Sequence, residues 1–483
     1  MNFIRKSKLF LTIIVLVFTI WTADAAEIAA VQKGIVLSME DCIDIALQNS
    51  PAVKKARFNY KLSKTDVGLA KSEFFPTLGV GTGYNLNENN NNIRNTSSNY
   101  LSAEASINQL IWNFGKTNAK IRMEKFNKIS SQYSFDNTVL STIYTVKNYY
   151  YAVLAAKANV DVNRANVQIN ERNYIRTKAY FDEGIKSKID LVNAEVYLSD
   201  SKVSLVQSEN TYKNALVKLN NAMYIAYAPD YEIKNTETFN FQRNVIPVNL
   251  EKISEKKDLS APPQGVSDAF LTSSVEKLDV IEHYKFKPFP YTFEESVEMA
   301  VKNRPDLKAY DATLNAMKQS LLAVKREYYP ELSGSAGYGF RDTNSQNSFT
   351  LGVSLKTNVN IMGQKNKIDA AKIQVDIAEN EIDLLKQDIY FEVQAAYIDM
   401  IQLEKQIPLL AVKVKQTLEN LELADGRYFV GIGDYIQLQD AKVNYNNAQQ
   451  EYVKAVYEYN VARAKLEQAI ALKPDVKISI EDK

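Results

Sequence analysis

Histidine and cysteine are almost absent: His283 and Cys42 are the single representatives in 483 residues. One thiol excludes an internal disulfide, and one imidazole leaves no cluster for a structural metal or a His-based catalytic dyad. A surplus of one charge is missing too. Lys+Arg total 58 against 57 Asp+Glu, without the basic excess that a nucleic-acid partner calls for. No G-x-x-x-x-G-K-[ST] phosphate loop occurs, so ATP hydrolysis is not expected. Carboxylates are plentiful, but on heptad-patterned helices they serve as solvated faces. Neither an enzyme, a cofactor nor a bound metal is expected. After the N-terminal segment there is also no apolar run of the roughly 20 residues that a membrane-spanning helix needs.

What is present begins with an export signal over residues 1–25. Arg5, Lys6 and Lys8 precede the apolar run Leu9 to Ile20, and Ala23-Asp24-Ala25 supplies an A-x-A cleavage site. Cys42, in SMEDC, lies outside any lipobox, so no N-terminal lipid is expected. The remaining chain is long enough for two or three domains.

An internal repeat sets the architecture. Residues 38–84 align without a gap to residues 292–338, sharing Glu40/Glu294, Ala46/Ala300, Asn49/Asn303, Pro51/Pro305, Glu73/Glu327, Pro76/Pro330 and Tyr84/Tyr338. The later part of each unit repeats as well. Leu191, Leu198, Leu205, Tyr212 and Leu219 are spaced by seven, with Ala194, Ser201, Ser208, Ala215 and Ala222 between them. Leu438, Tyr445, Tyr452, Tyr459 and Leu466 answer them, with Ala441, Ala448, Ala455, Ala462 and Ala469. Strict heptads hold an apolar seam in place, whereas the stripe of a straight helix drifts by about 20° per heptad, so these are coiled-coil helices. Small residues at one seam position allow close backbone approach.

Each unit therefore reads as helix, two strands, very long helix, shorter helix. The long helices are expected near Lys116 to Tyr180 and Gly363 to Ala424, and the shorter ones near Glu40 to Glu73 and Asp190 to Ala222. At 1.5 Å per residue the long ones reach about 90 Å, too long for a compact domain. Pro408 falls inside the second and is expected to kink it.

After Pro76 and Pro330 the pattern changes to period two. Leu78, Val80, Thr82, Tyr84 and Leu86 alternate with glycines and asparagines; Leu332, Gly334, Ala336, Tyr338 and Phe340 alternate with serines and glycines. The returning strands, with Leu101, Ala103, Ala105 and Ile107 and with Phe349, Leu351, Val353 and Leu355, behave alike. About ten residues per strand suits a tilted transmembrane strand. The polar stretches Glu88 to Ser98 and Asp342 to Gln346 are expected to be loops. Four strands cannot close a barrel, and open edges in lipid leave backbone groups unsatisfied. The barrel must be shared, and 8, 12 or 16 strands from two, three or four copies all remain open.

The repeat starts, the strand-to-helix stretches ending in Trp112-Asn113-Phe114-Gly115 and Ile361-Met362-Gly363, and the turns Tyr180 to Glu195 and Tyr428 to Lys442 resemble the TolC-like outer-membrane efflux family. The resemblance implies an α+β membrane protein. Three chains share a 12-stranded β-barrel in outer-membrane lipid, continuous with a long α-helical coiled-coil periplasmic tunnel, with two internal repeats per chain. Residues 38–223 and 292–472 are then the repeats, 224–291 an equatorial insertion and 473–483 a polar tail. The implied function is a passive exit duct for efflux or type I secretion. Its implied partners are a periplasmic adaptor and an inner-membrane pump, proton-driven or of ABC type. A trimeric coiled-coil adhesin anchored by a shared barrel is the alternative, although adhesins carry one C-terminal anchor and this chain has two strand pairs between helices.

By the same resemblance the entrance closes at the helix-hairpin tips. Asp190, Tyr428 and Asp440 match gate positions, while Gly433 and Gln437 stand where an Arg and an Asp commonly occur. Asp434 could place a carboxylate in the lumen, and three-fold symmetry would make a ring of it; the plainer reading of these carboxylates is helix N-caps. Gly184 and Gly431 fit the breaks that end the long helices.

Overall fold

The computed structural model describes residues 34–91, 94–226, 230–234, 289–342, 346–357 and 360–472. The signal, the polar tail and most of the 224–291 segment lie outside the described residues. Eight α-helices and six strands are described: β1 (Val36–Leu37), α1 (Met39–Asn49), α2 (Pro51–Ser72), β2 (Thr77–Asn91), β3 (Arg94–Trp112), α3 (Lys116–Asp182), α4 (Lys188–Ala222), β4 (Glu232–Ile233), α5 (Phe293–Asn303), α6 (Pro305–Lys325), β5 (Glu331–Arg341), β6 (Gln346–Lys356), α7 (Ile361–Phe429) and α8 (Tyr435–Ala469).

The first helix of each repeat is not continuous, contrary to the expectation for Glu40 to Glu73. Ser50 and Arg304 hold extended backbone at ψ 118° and 124°, the region to which a following proline restricts its neighbour. Pro51 and Pro305 then open a second helix, where their missing N–H costs nothing. The entry is also shared between repeats. Ser38 and Asp41 form a capping box on α1, and Thr292 and Glu295 form one on α5.

The long helices α3 and α7 have 67 and 69 residues, about 100 Å each at 1.5 Å per residue. Pro408 lies inside α7, which runs on through it. Towards the sheet the helices pack in the order α2–α3–α6–α7; towards the hairpin turns the order is α4–α3–α8–α7. Two short helices thus flank each long one end to end. In this row α3 is covered on both sides, and the outer faces of α4 and α7 have no helical partner among the described residues. They are nonetheless apolar. Ile189, Val196, Val203 and Val217 on α4 are exposed, as are Ile377, Leu384, Phe391 and Ile398 on α7. Both sets keep the heptad spacing of a second seam.

The two neighbours of α8 meet it differently. Against α7, all ten heptad positions of α8 from Leu438 to Ala469 are buried, and α7 answers with Met400, Ile407, Val414, Leu421 and Tyr428, again seven apart. Towards α3 the contacts are mixed: Val453 and Tyr457 join the apolar cluster of α3 around Val153 and Leu154, and nearer the hairpin turn the contacts are polar. Gln450 Nε2 donates to Asn163 Oδ1 at 3.1 Å, and Asn173 Nδ2 donates to the Tyr435 hydroxyl at 3.3 Å. Several buried groups near this seam, among them the Asn170 Oδ1, Gln439 Nε2 and Lys442 Nζ atoms, find no hydrogen-bond partner.

The four long strands form one antiparallel sheet in the order β2–β3–β5–β6. The register places Gly79, Gly81 and Gly83 with Ser106, Glu104 and Ser102 on one face, opposite Leu78, Val80, Leu101 and Ile107 on the other. Leu351 on the apolar face is 77% exposed in the single chain, as a lipid-facing residue must be. β5 and β6 have 11 residues each, close to expectation, but β2 and β3 have 15 and 19. The stretch Glu88 to Ser98, expected as a loop, is largely paired strand, from Glu88↔Ser97 to Asn91↔Arg94. Backbone pairing needs no apolar alternation where the ribbon stands clear of lipid, so its polar sequence hid it.

Candidate functional site: the hairpin tips

Both long helices end on a glycine with positive φ, as the sequence suggests. Gly184 sits at +74° and Gly431 at +80°, a conformation that side chains resist and that closes a helix C-terminus. Ile185 N donates back to Tyr180 O at 2.8 Å, and Ile432 N to Arg427 O at 3.1 Å. Gly433 is required for another reason: a Cβ there would lie 2.8 Å from the Tyr428 N and Arg427 C atoms. This turn has no room for a side chain where the resemblance places an arginine.

The carboxylates picked from the sequence take separate places. Asp190 is the third residue of α4 and completes a capping box: its Oδ2 accepts from Ser187 Oγ at 2.8 Å and from Ser187 N at 3.3 Å. Asp434 is the N-cap of α8, accepting from Ile436 N at 3.3 Å. Asp440 is exposed on α8. Burial pushes the Tyr428 phenol up, and the Asp190 charge adds to that.

Tyr428 is the hub. It is 2% exposed, packs edge-on to Tyr435 at 5.5 Å between centroids, and carries the Lys186 ammonium 4.1 Å above its ring. Lys186 belongs to the first hairpin and Tyr428 to the second, so this cation–π contact spans them. One turn further in, Arg176 on α3 grips Asp425 on α7 at 2.6 and 3.4 Å, and the same guanidinium donates to Asn173 Oδ1 at 3.1 Å. Burial works against the Arg176 charge, but Asp425 holds it firmly protonated. The two hairpins of one chain are therefore fastened by Lys186–Tyr428, Arg176–Asp425 and Asn173–Tyr435. None of Arg176, Asp425, Lys186 and Tyr435 was visible as a site residue. The available signal was their placement within two turns of each hairpin tip.

Among the described residues, no group of three or more His, Cys, Asp or Glu side chains could hold a metal ion, and no helix is long and apolar enough to cross a membrane.

The model of the Outer membrane efflux protein family matches residues 42–223 and 297–472. The outer membrane protein TolC of Vibrio cholerae is 22% identical over 204 residues, 38% of this chain and 43% of that protein; the alignment thus spans under half of that relative. The probable efflux pump outer membrane protein TtgC of Pseudomonas putida is 19% identical over 447 residues, covering 89% of this chain and 83% of its own length. Among solved structures, CusC superposes with a TM-score of 0.71 at 13% identity, over 92% of this chain and 96% of that one. The two-repeat fold read from the sequence is the fold of these channels, and the chain belongs to the outer membrane efflux protein family.

Proposed function

We propose that three copies of this chain form a passive exit duct. Their twelve strands close one barrel in the outer membrane, and their helices continue it as a tunnel into the periplasm. As an outer membrane efflux protein, the chain is a channel and not an enzyme. The carrying observation is the pair of apolar seams on the outer faces of α4 and α7, without a partner among the described residues, in line with a four-stranded sheet whose two edges are open. One protomer's α7 edge supplies what the next one's α2 and α4 edge lacks, and the same ring closes the sheet without leaving backbone groups unsatisfied in lipid.

Substrates enter from an inner-membrane pump, proton-driven or of ABC type, through a periplasmic adaptor, and the pump supplies the energy. The tips around Tyr428 form the entrance gate, held within each chain by the Arg176–Asp425 pair. Asp190 and Asp434 add carboxylates at the tip and Asp440 one about 9 Å above it, each repeated three times around the axis. The native mass of detergent-extracted protein, corrected for bound detergent, tests the assembly. Three chains are expected; a detergent-free soluble monomer would overturn the reading. For the gate, Asp440→Ala is expected to raise single-channel conductance in planar bilayers, and an unchanged conductance removes Asp440 from it.

A further inference from the structure

Lys442 lies on α8 eight residues beyond Asp434, about 12 Å above the tip at helical rise. It is 6% exposed, and its ammonium has no hydrogen-bond partner. It lines a small cavity with Ala165, Asn166, Leu421, Tyr445, Asn446 and Gln449, with about 10 Å³ of room for the centre of a water-sized sphere. The Gln449 Nε2 and Tyr445 hydroxyl are also buried and unpartnered, as is the Asn446 Oδ1. Donors dominate this set, and none of the described lining residues is a carboxylate. The charged groups acting on Lys442 are Asp425 on α7 and Arg176 on α3, which are already spent on each other. Glu422 on α7 acts on Tyr445.

A buried ammonium whose facing carboxylate, Asp425, is committed to Arg176, among several idle donors, is a costly arrangement unless something of opposite charge sits among them. The space admits one particle of atomic size. A polyatomic acid would not fit, and a metal cation would meet a like charge. We propose that this cavity binds a single small monovalent anion of the chloride class. Lys442, Gln449 and Tyr445, all on α8, hold it against Ala165 and Asn166 of α3 just above the entrance. The Asn446 amide turns its nitrogen inward when the anion is bound. Burial, with the Arg176 charge adding to it and Asp425 opposing, brings the Lys442 pKa down to about 7, and a bound anion restores the charged form.

Crystals of the detergent-extracted full chain, grown with sodium bromide in place of chloride, test this directly. An anomalous bromide peak between Lys442 and Gln449 is expected. A cavity density without anomalous signal, in crystals that show bromide elsewhere, identifies water and overturns the proposal. In solution, the wild type should melt about 2–4 °C higher in sodium chloride than in sodium gluconate at equal ionic strength. Lys442→Met should lose that difference, and a difference retained in full places the anion effect elsewhere and overturns the assignment. The bromide experiment stands even if the variant fails to assemble.

Discussion

The two faces of α8 are built on opposite principles. Towards α7 the seam is dry, with tyrosines and leucines alternating with alanines, every one buried. Its stability comes from area removed from water and from close fit. Towards α3, beyond Val453 and Tyr457 on the tip side, the seam is asparagine, glutamine and lysine, held by a few hydrogen bonds and leaving several groups unanswered. A dry seam has one good register and resists displacement. A polar one gives specificity for little net energy, because each hydrogen bond replaces one to water. The hairpin α7–α8 is thus a firm unit, and its junction with the first hairpin is the softer joint.

Breaking the dry seam should cost most. Leu438→Ala, at a fully buried position, is expected to lose about 2–5 kcal/mol of stability, and Ala448→Leu about 1–3 kcal/mol through overpacking. Denaturant unfolding of the purified protein measures both. A loss below about 0.5 kcal/mol for Leu438→Ala would mean that the seam is not the rigid element described.

Next comes the ion pair across the joint. The Arg176 and Asp425 side chains are 26% and 19% exposed, so Arg176→Ala should cost about 1–3 kcal/mol, much of it from the carboxylate left without a partner. The double variant with Asp425→Ala should recover part of that loss, and a fully additive result would show that the pair does not couple the hairpins. Channel conductance should rise in the single variant.

Lys442→Met probes the polar seam itself. In gluconate buffer, where no small anion pairs with it, removing this buried charge should leave stability unchanged or raise it by about 1–3 kcal/mol. The pH dependence has a definite sign. The Lys442 pKa falls from 10.5 in the unfolded chain to about 7 in the fold, so the unfolded state binds more protons between those values. Stability therefore rises with pH from about 7 towards 10, by at most about 1.4 kcal/mol per pH step, in gluconate buffer. The methionine variant should lack that slope; an identical slope would assign it to another group. Asp440→Ala, exposed and without a described role in packing, should move stability by less than about 0.5 kcal/mol, whatever it does to conductance.

What could be read from the sequence follows the same division. The ten heptad positions of α8 repeat every seven residues, and that periodicity survives in any context because burial on one face demands it. The strands were legible for the analogous reason, with lipid on one face and small residues on the other. The helix break at Pro51 and Pro305 was marked by the prolines but lost beneath a longer amphipathic pattern. The polar ribbon from Glu88 to Ser98 gave no alternation, since backbone pairing clear of lipid demands none. The site was least legible. Gly184 and Gly431 announce a turn, but Arg176 and Asp425 are 249 residues apart, on helices whose relative rotation no single heptad pattern fixes. Asp190 and Asp434 carried two readings, gate carboxylate or cap, and the capping geometry of each depended on where its helix begins.

The lengths of α3 and α7 constrain how such a chain can change over generations. A deletion of one residue in either would turn everything beyond it by about 100° and take the seam out of register. Length can be gained or lost there only in whole sevens, and in both repeats together. The 35-residue helices α4 and α8 are five sevens each. Single insertions and deletions should therefore accumulate in the turns or at the distal end of the β2–β3 ribbon, and a lineage that lengthens one arm must lengthen its twin.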